Sequence, residues 1–204
     1  MNTVEFNKTL CAKAQTNLVD FETFKRVNLK KKASTVEGLL ARISKVEKIT
    51  DGYKTTITYS NGEDVVTVKN DGTFFINNKN KKACNTDAGH IRLAINNVSF
   101  IAERWMAMMT DITNNKMPLS YRGWTCNVMD CSGNIYTAKR LGIKVNISPD
   151  NLEWCLKSFQ LPHYKVVEKV WRHTGKNITL SAFDDAIEIS QTKPIGELLA
   201  YLGI

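Results

Sequence analysis

To about Lys32 the chain sets Val4, Leu10, Leu18, Phe21, Phe24 and Val27 among polar residues at near-helical spacing and ends in Lys30-Lys31-Lys32. That spacing predicts a helical hairpin or one broken helix. From Val36 to Ile76 the pattern turns to alternation, through Leu40, Ile43 and Val46, then Tyr53 to Tyr59, a turn at Asn61-Gly62, and Val65 to Val68. This predicts hairpin strands. A second turn at Asp71-Gly72 leads into Thr73-Phe74-Phe75-Ile76, and two further strands, Ile91 to Ile95 and Val98 to Ile101, flank Asn96-Asn97, a pair suited to a tight turn with positive φ.

Ala102 to Ile112 is built of strong helix formers with an apolar face through Trp105, Met108, Met109 and Ile112, and predicts a helix lying on a sheet. Lys116 to Pro149, rich in Gly, Asn and Cys, predicts short strands and loops. Beyond it the pattern predicts a helix around Asn151 to Phe159, another from His163 to His173 closed by Gly175, a third with Ser181 as N-cap, and a fourth after Pro194. The order is an N-terminal helical segment, antiparallel strands, a helix, an irregular region and C-terminal helices, which predicts an α+β fold. The segments fall at 1–62, 63–158 and 159–204, the last a helical cap or dimerisation element.

Composition narrows the class. Hydrophobic residues are 43% and charged residues 24% of 204, which excludes a disordered or low-complexity chain. No run approaches the roughly 18 apolar residues of a membrane span, and the start lacks the layout of a secretory signal, so the expectation is a cytoplasmic protein without membrane contact. The five cysteines are scattered without a C-x-x-C pair, which favours reduced thiols over a zinc site or disulfide framework. The net charge of +8 is uneven: residues 1–82 hold 15 basic and 9 acidic groups, 83–149 hold 7 and 4, and 150–204 hold 6 and 7. A polyanion is the first partner that such a balance implies, although a merely soluble basic surface has the same composition.

Five segments in order carry a resemblance: Asn70-Asp71-Gly72-Thr73-Phe74-Phe75-Ile76, the basic Lys79 to Lys82, Gly89-His90-Ile91-Arg92-Leu93-Ala94-Ile95, Phe100 to Ala107, and Asn151-Leu152-Glu153-Trp154-Cys155. Together, over about half the chain, they resemble phage-type HNH homing endonucleases, whose ββα-metal fold uses histidines to bind one divalent cation and activate a water. Aligned on that pattern, Glu103 stands before Arg104 where the family has His, and Val128 takes the catalytic base position within Cys126-Asn127-Val128-Met129-Asp130. Leu156 and Lys157 follow the N-L-E-W segment in place of the family's Thr and His or Asn. None of His90, His163 and His173 falls on a family metal position, and only Glu103 and Asp130 remain as oxygen ligands.

The resemblance therefore implies an HNH-like remnant that has lost catalysis and kept binding: no enzyme, no cofactor, no metal, and double-stranded DNA as partner. A sequence-specific repressor or site-occluding factor of a phage or mobile element follows, with a homodimer through the C-terminal helices as a further expectation. Two alternatives stay open, a phage-encoded inhibitor of a host or rival protein and a divergent metal-dependent HNH endonuclease. The candidate DNA contacts are Arg26, Lys30, Lys31 and Lys32; Lys79, Lys81 and Lys82; Arg92 and Arg104 on family motif positions; and Arg122, Lys139, Arg140 and Lys144. Each set has a plainer explanation as well. The first suits a solvated helix C-terminus, the second a turn, and Arg104 a structural role.

Overall fold

The computed structural model describes residues 17–82, 84, 85, 90–121, 126–130, 146–181 and 183–204, and among them Asp20 opens the first helix. Its carboxylate accepts from the Thr23 N–H (2.7 Å) and hydroxyl (2.9 Å), so helix α1 (Phe21–Asn28) begins at a satisfied cap. Before it lies β1 (Leu18–Val19), paired antiparallel with β10 (Met117–Pro118). Where alternation predicts the approach to a strand, Val36–Leu40 instead forms a short helix, α2. The cause is local, because the Thr35 hydroxyl accepts from the Gly38 N–H (3.1 Å), and the helical turn buries Leu39 and Leu40 together.

Strands β2 (Ile43–Ile49), β3 (Gly52–Tyr59), β4 (Gly62–Lys69), β5 (Phe74–Ile76) and β6 (Lys79–Lys81) follow as an antiparallel meander in chain order. The β3–β4 turn is Ser60-Asn61, one position earlier than predicted, with Gly62 at φ 143° opening β4. Gly72 holds φ 84°, a conformation that favours glycine, in the second predicted turn. A second sheet joins β7 (Cys84–Asn85), β8 (Ile91–Ile95) and β9 (Val98–Ile101). As predicted, Asn96 and Asn97 turn its last hairpin at φ 45° and 62°.

Helix α3 (Ala102–Thr113) follows β9 directly and occupies the centre. Its burial exceeds the single face that periodicity predicts, for Ala102, Glu103, Met106 and Ala107 are enclosed along with Trp105, Met108, Met109 and Ile112. Elements lie on several sides of it. From β3, Tyr53 meets Thr110 through their hydroxyls (3.2 Å) and the Thr55 hydroxyl reaches the Met109 sulfur (3.2 Å). From β9, Phe100 sets its ring edge-on to Trp105 at 5.0 Å between centroids.

The region after Asn151 departs from the predicted helix. Pro149–Asn151 is one 3-10 turn, and β12 (Leu152–Leu156) then pairs antiparallel with β11 (Cys126–Asp130), placing Val128 opposite Trp154. Leu152 and Trp154 pack on the main core, and that burial favours a strand over the local helical pattern. Helix α4 (Lys157–Thr174) starts before the predicted His163, carries Pro162 inside it, and ends at Gly175 with φ 68°. Helix α5 (Ala186–Thr192) begins later than Ser181, whose hydroxyl is engaged by the Glu153 carboxylate (3.1 and 3.2 Å), while the Asp184 carboxylate accepts from the Ala186 N–H (2.8 Å). Helix α6 (Ile195–Tyr201) follows Pro194 as predicted. The apolar residues of α4 to α6 form a second cluster of Val166, Val167, Val170, Leu180, Ala186, Ile187 and Leu198.

The fold is α+β, with antiparallel sheets and helices segregated along the chain. Among the described residues no helix is long and apolar enough to cross a membrane. Since Trp105 is fully buried at the centre, Trp105→Ala is expected to cost about 3–5 kcal/mol in urea unfolding.

Candidate nucleic-acid interface

The basic run Lys30-Lys31-Lys32 does not trail from the helix end; its backbone is tied at successive residues. The Lys31 N–H donates to the Asn28 carbonyl (2.9 Å), and the Lys31 carbonyl accepts from Arg42 Nη1 (3.0 Å). The Lys32 carbonyl accepts from both the N–H (3.0 Å) and the hydroxyl (2.8 Å) of Thr35. A Cβ at position 38 would run into that same oxygen, so Gly38 lets the loop close. Side chains of Arg26, Lys30 and Lys32 stand exposed on this support, with Lys31 half-buried. Among the described residues none of the four meets an acid, whereas the neighbouring Lys25 pairs with Glu22 (3.0 Å).

A second basic element is the β5–β6 hairpin. Asn77 and Asn78, at φ 52° and 61°, form its turn. The Asn77 side chain accepts from the Val65 N–H (2.8 Å) and donates to Asp64 (2.8 Å), so this asparagine anchors the tip and is not available to a ligand. Lys79, Asn80, Lys81 and Lys82 are exposed. Strand β6 is the sheet edge, where lysines also discourage pairing with another chain.

Strand register brings these two elements to one end of the five-stranded sheet. Phe74 opposes Val68 and Ile76 opposes Val66, so the Asn77-Asn78 turn emerges beside Val65, near the Ser60-Asn61 turn. The Thr58 N–H donates to the Arg42 carbonyl (2.9 Å), placing Arg42 and the loop it holds at that end too. Between them lies an open polar cavity of about 460 Å³ lined by Ala33, Arg42, Tyr59, Asn61, Asp64 and Asn96 among others.

The remaining candidates divide. Arg92 is exposed on β8. Arg104 is half-buried on α3 and donates from Nη2 to the Tyr121 carbonyl (3.3 Å), with Nε enclosed, which fits its structural alternative. Arg122, Lys139, Arg140 and Lys144 lie outside the described residues, as do the side chains of Val128 and Asp130. The apolar faces of the C-terminal helices turn onto one another, and among the described residues Leu161 and Tyr201 are the large apolar side chains exposed there.

At the position where the resemblance places a histidine, Glu103 is enclosed and its Oε1 meets His90 Nδ1 at 2.8 Å. That hydrogen bond raises the His90 pKa above 6.5, against the opposing effect of burial. The other Glu103 oxygen, Oε2, is buried without a hydrogen-bond partner among the described residues. Among the described residues no group of three or more His, Cys, Asp or Glu is placed to hold a metal ion.

Sequence reasoning missed a further acid of the helix, the half-buried Asp111. Asp111 accepts from the Tyr121 hydroxyl (2.7 Å) and from Trp154 Nε1 (3.2 Å), joining α3 to β12. Burial outweighs both hydrogen bonds and pushes the carboxyl from 3.8 up to about 7. The only signal in the sequence is an aspartate set among Met108, Met109 and Ile112.

Comparison with models of known protein families, with curated proteins and with solved structures gives no significant match.

Asp111 and His90 make stability depend on pH with the same sign. Folded Asp111 keeps its proton up to about pH 7 whereas the unfolded chain releases it near 3.8, so its contribution falls as pH rises through that window. His90 contributes fully below 6.5 and loses that contribution as pH rises through its higher folded pKa. In thermal unfolding across pH, Asp111→Asn is expected to flatten the decline between about pH 4 and 7 and His90→Gln the decline that begins at about pH 6.5.

Proposed function

We propose that this chain is a sequence-specific double-stranded DNA-binding protein that does not cut its target and acts as a repressor or site-occluding factor, as its resemblance to HNH homing endonucleases of phages and mobile elements implies. The observation that carries this is the pinned basic loop, Lys30 to Lys32, without acidic partners among the described residues and at the same sheet end as the Lys79 hairpin. A charge run that merely solvates a helix end needs no such ties. Holding the backbone reduces the entropy lost when lysines settle on phosphates, which is how a contact gains orientation as well as charge.

The loss of cutting follows from residue identity. Glu103 and Val128 replace the two family histidines, and Glu103 is occupied by His90. Phosphodiester attack needs a base and a Lewis acid at one phosphate, and a buried carboxylate in an ion pair is a poor substitute for the base.

Fluorescence anisotropy against a duplex pool, at two salt concentrations with magnesium present and products run on a gel, tests this. The expected result is retention of a preferred duplex with its strands intact. Replacing Lys30, Lys31 and Lys32 together by Gln should lower the slope of log affinity against log salt by roughly 3, because each phosphate that a lysine neutralises adds about 0.9 to it. Absence of duplex binding at low salt would remove the proposal, and cleaved product would replace it with an endonuclease.

A further inference from the structure

Three large apolar side chains stand exposed around one point of the basic loop: Val27 (42%), Leu29 (53%) and Leu119 (45%). They are gathered by Asn28, which is fully buried and donates from Nδ2 to the carbonyls of Phe24 (3.0 Å) and Leu119 (3.0 Å). Val27 and Leu29 therefore flank the point where α1 meets the segment after β10. Scattered single leucines on a surface are ordinary, but a fixed group flanked by unpaired cations is not. The rim is Arg26, Lys30 and Lys32, all exposed.

We infer that this apolar tip is a wedge that enters the minor groove of the bound duplex, parts a base step and bends the DNA, while Arg26, Lys30 and Lys32 hold the flanking phosphates. The inference rests on the DNA-binding function proposed above and specifies how that binding is made. Phosphate contact alone has no use for exposed Leu29 and Leu119 between its cations. Unstacking does, because an apolar side chain takes the place of the neighbouring base, and the bend brings more phosphate within reach of the rim. Wedge residues must also resist being pushed aside. Asn28 locks the tip from below, and the ties from Thr35 and Arg42 lock the loop beside it. The exposed cations Arg26, Lys30 and Lys32, which pair with no acid among the described residues, match a polyanion, which argues for DNA over an apolar protein groove.

The test uses the full chain and a duplex of about 30 base pairs selected by it from a random pool, short against the persistence length of about 150 base pairs, with donor and acceptor dyes at its ends. Wild-type protein is expected to shorten the end-to-end distance. The double variant Leu29→Ala, Leu119→Ala leaves every cation in place and should bind with the same salt slope, about tenfold more weakly, to a duplex that stays straight. Because both side chains are exposed, an unchanged thermal midpoint establishes that the variant is folded. Binding by the wild type without bending, or a variant that bends DNA as the wild type does, would overturn the wedge and leave the DNA-binding proposal standing. Failure of the wild type to bind any duplex, including the case in which it binds phosphatidylserine vesicles instead, would overturn both.

Discussion

The burial of helix α3 on several sides is the constraint on which the other elements depend. A helix that exposes one face needs one neighbour, whereas eight of the twelve residues of α3 are enclosed, so the five-stranded sheet, the β8–β9 hairpin and the β11–β12 pair must all close on it. Trp105 and the three methionines provide the volume. Unbranched methionine fills irregular space between packed elements, which a row of β-branched residues would not. The sheets in turn supply the polar contacts of the helix, from Tyr53 and Thr55 on one side and from Trp154 on another.

Enclosure on this scale takes in ionisable groups, and the protein gives each hydrogen-bond partners. Glu103 is joined to His90, and Asp111 takes hydrogen bonds from Tyr121 and Trp154. Such groups cost desolvation, so their value lies less in net stability than in fixing which element meets which. Asp111 links α3 to β12, and Arg104 links it to the segment after β10. Glu103, Asp111 and Arg104 thereby act as ties between elements.

The proposed DNA-facing surface is built by the opposite logic. Its side chains are exposed and its backbone is fastened, through Asn28, Thr35, Gly38, Arg42 and Asn77. Several of these supports are polar residues that composition alone would assign to recognition. Asn77 shows why it cannot: both ends of its amide are spent on Val65 and Asp64.

By itself the sequence determined the α+β class, the meander of hairpins, the Asn96-Asn97 turn, the glycine at position 72, the helix over Ala102 to Ile112 and the place of the basic run. These are matters of backbone dihedral and side-chain period, which neighbours along the chain decide. Tertiary structure alone decided that Leu152 to Leu156 is a strand, because its partner β11 lies more than twenty residues away and its apolar side rests on the core. It also decided that Arg104 turns inward, that Glu103 meets His90, and that Asp111 holds its proton near neutral pH. Pairing and desolvation are set by groups distant in sequence, and no local pattern encodes them.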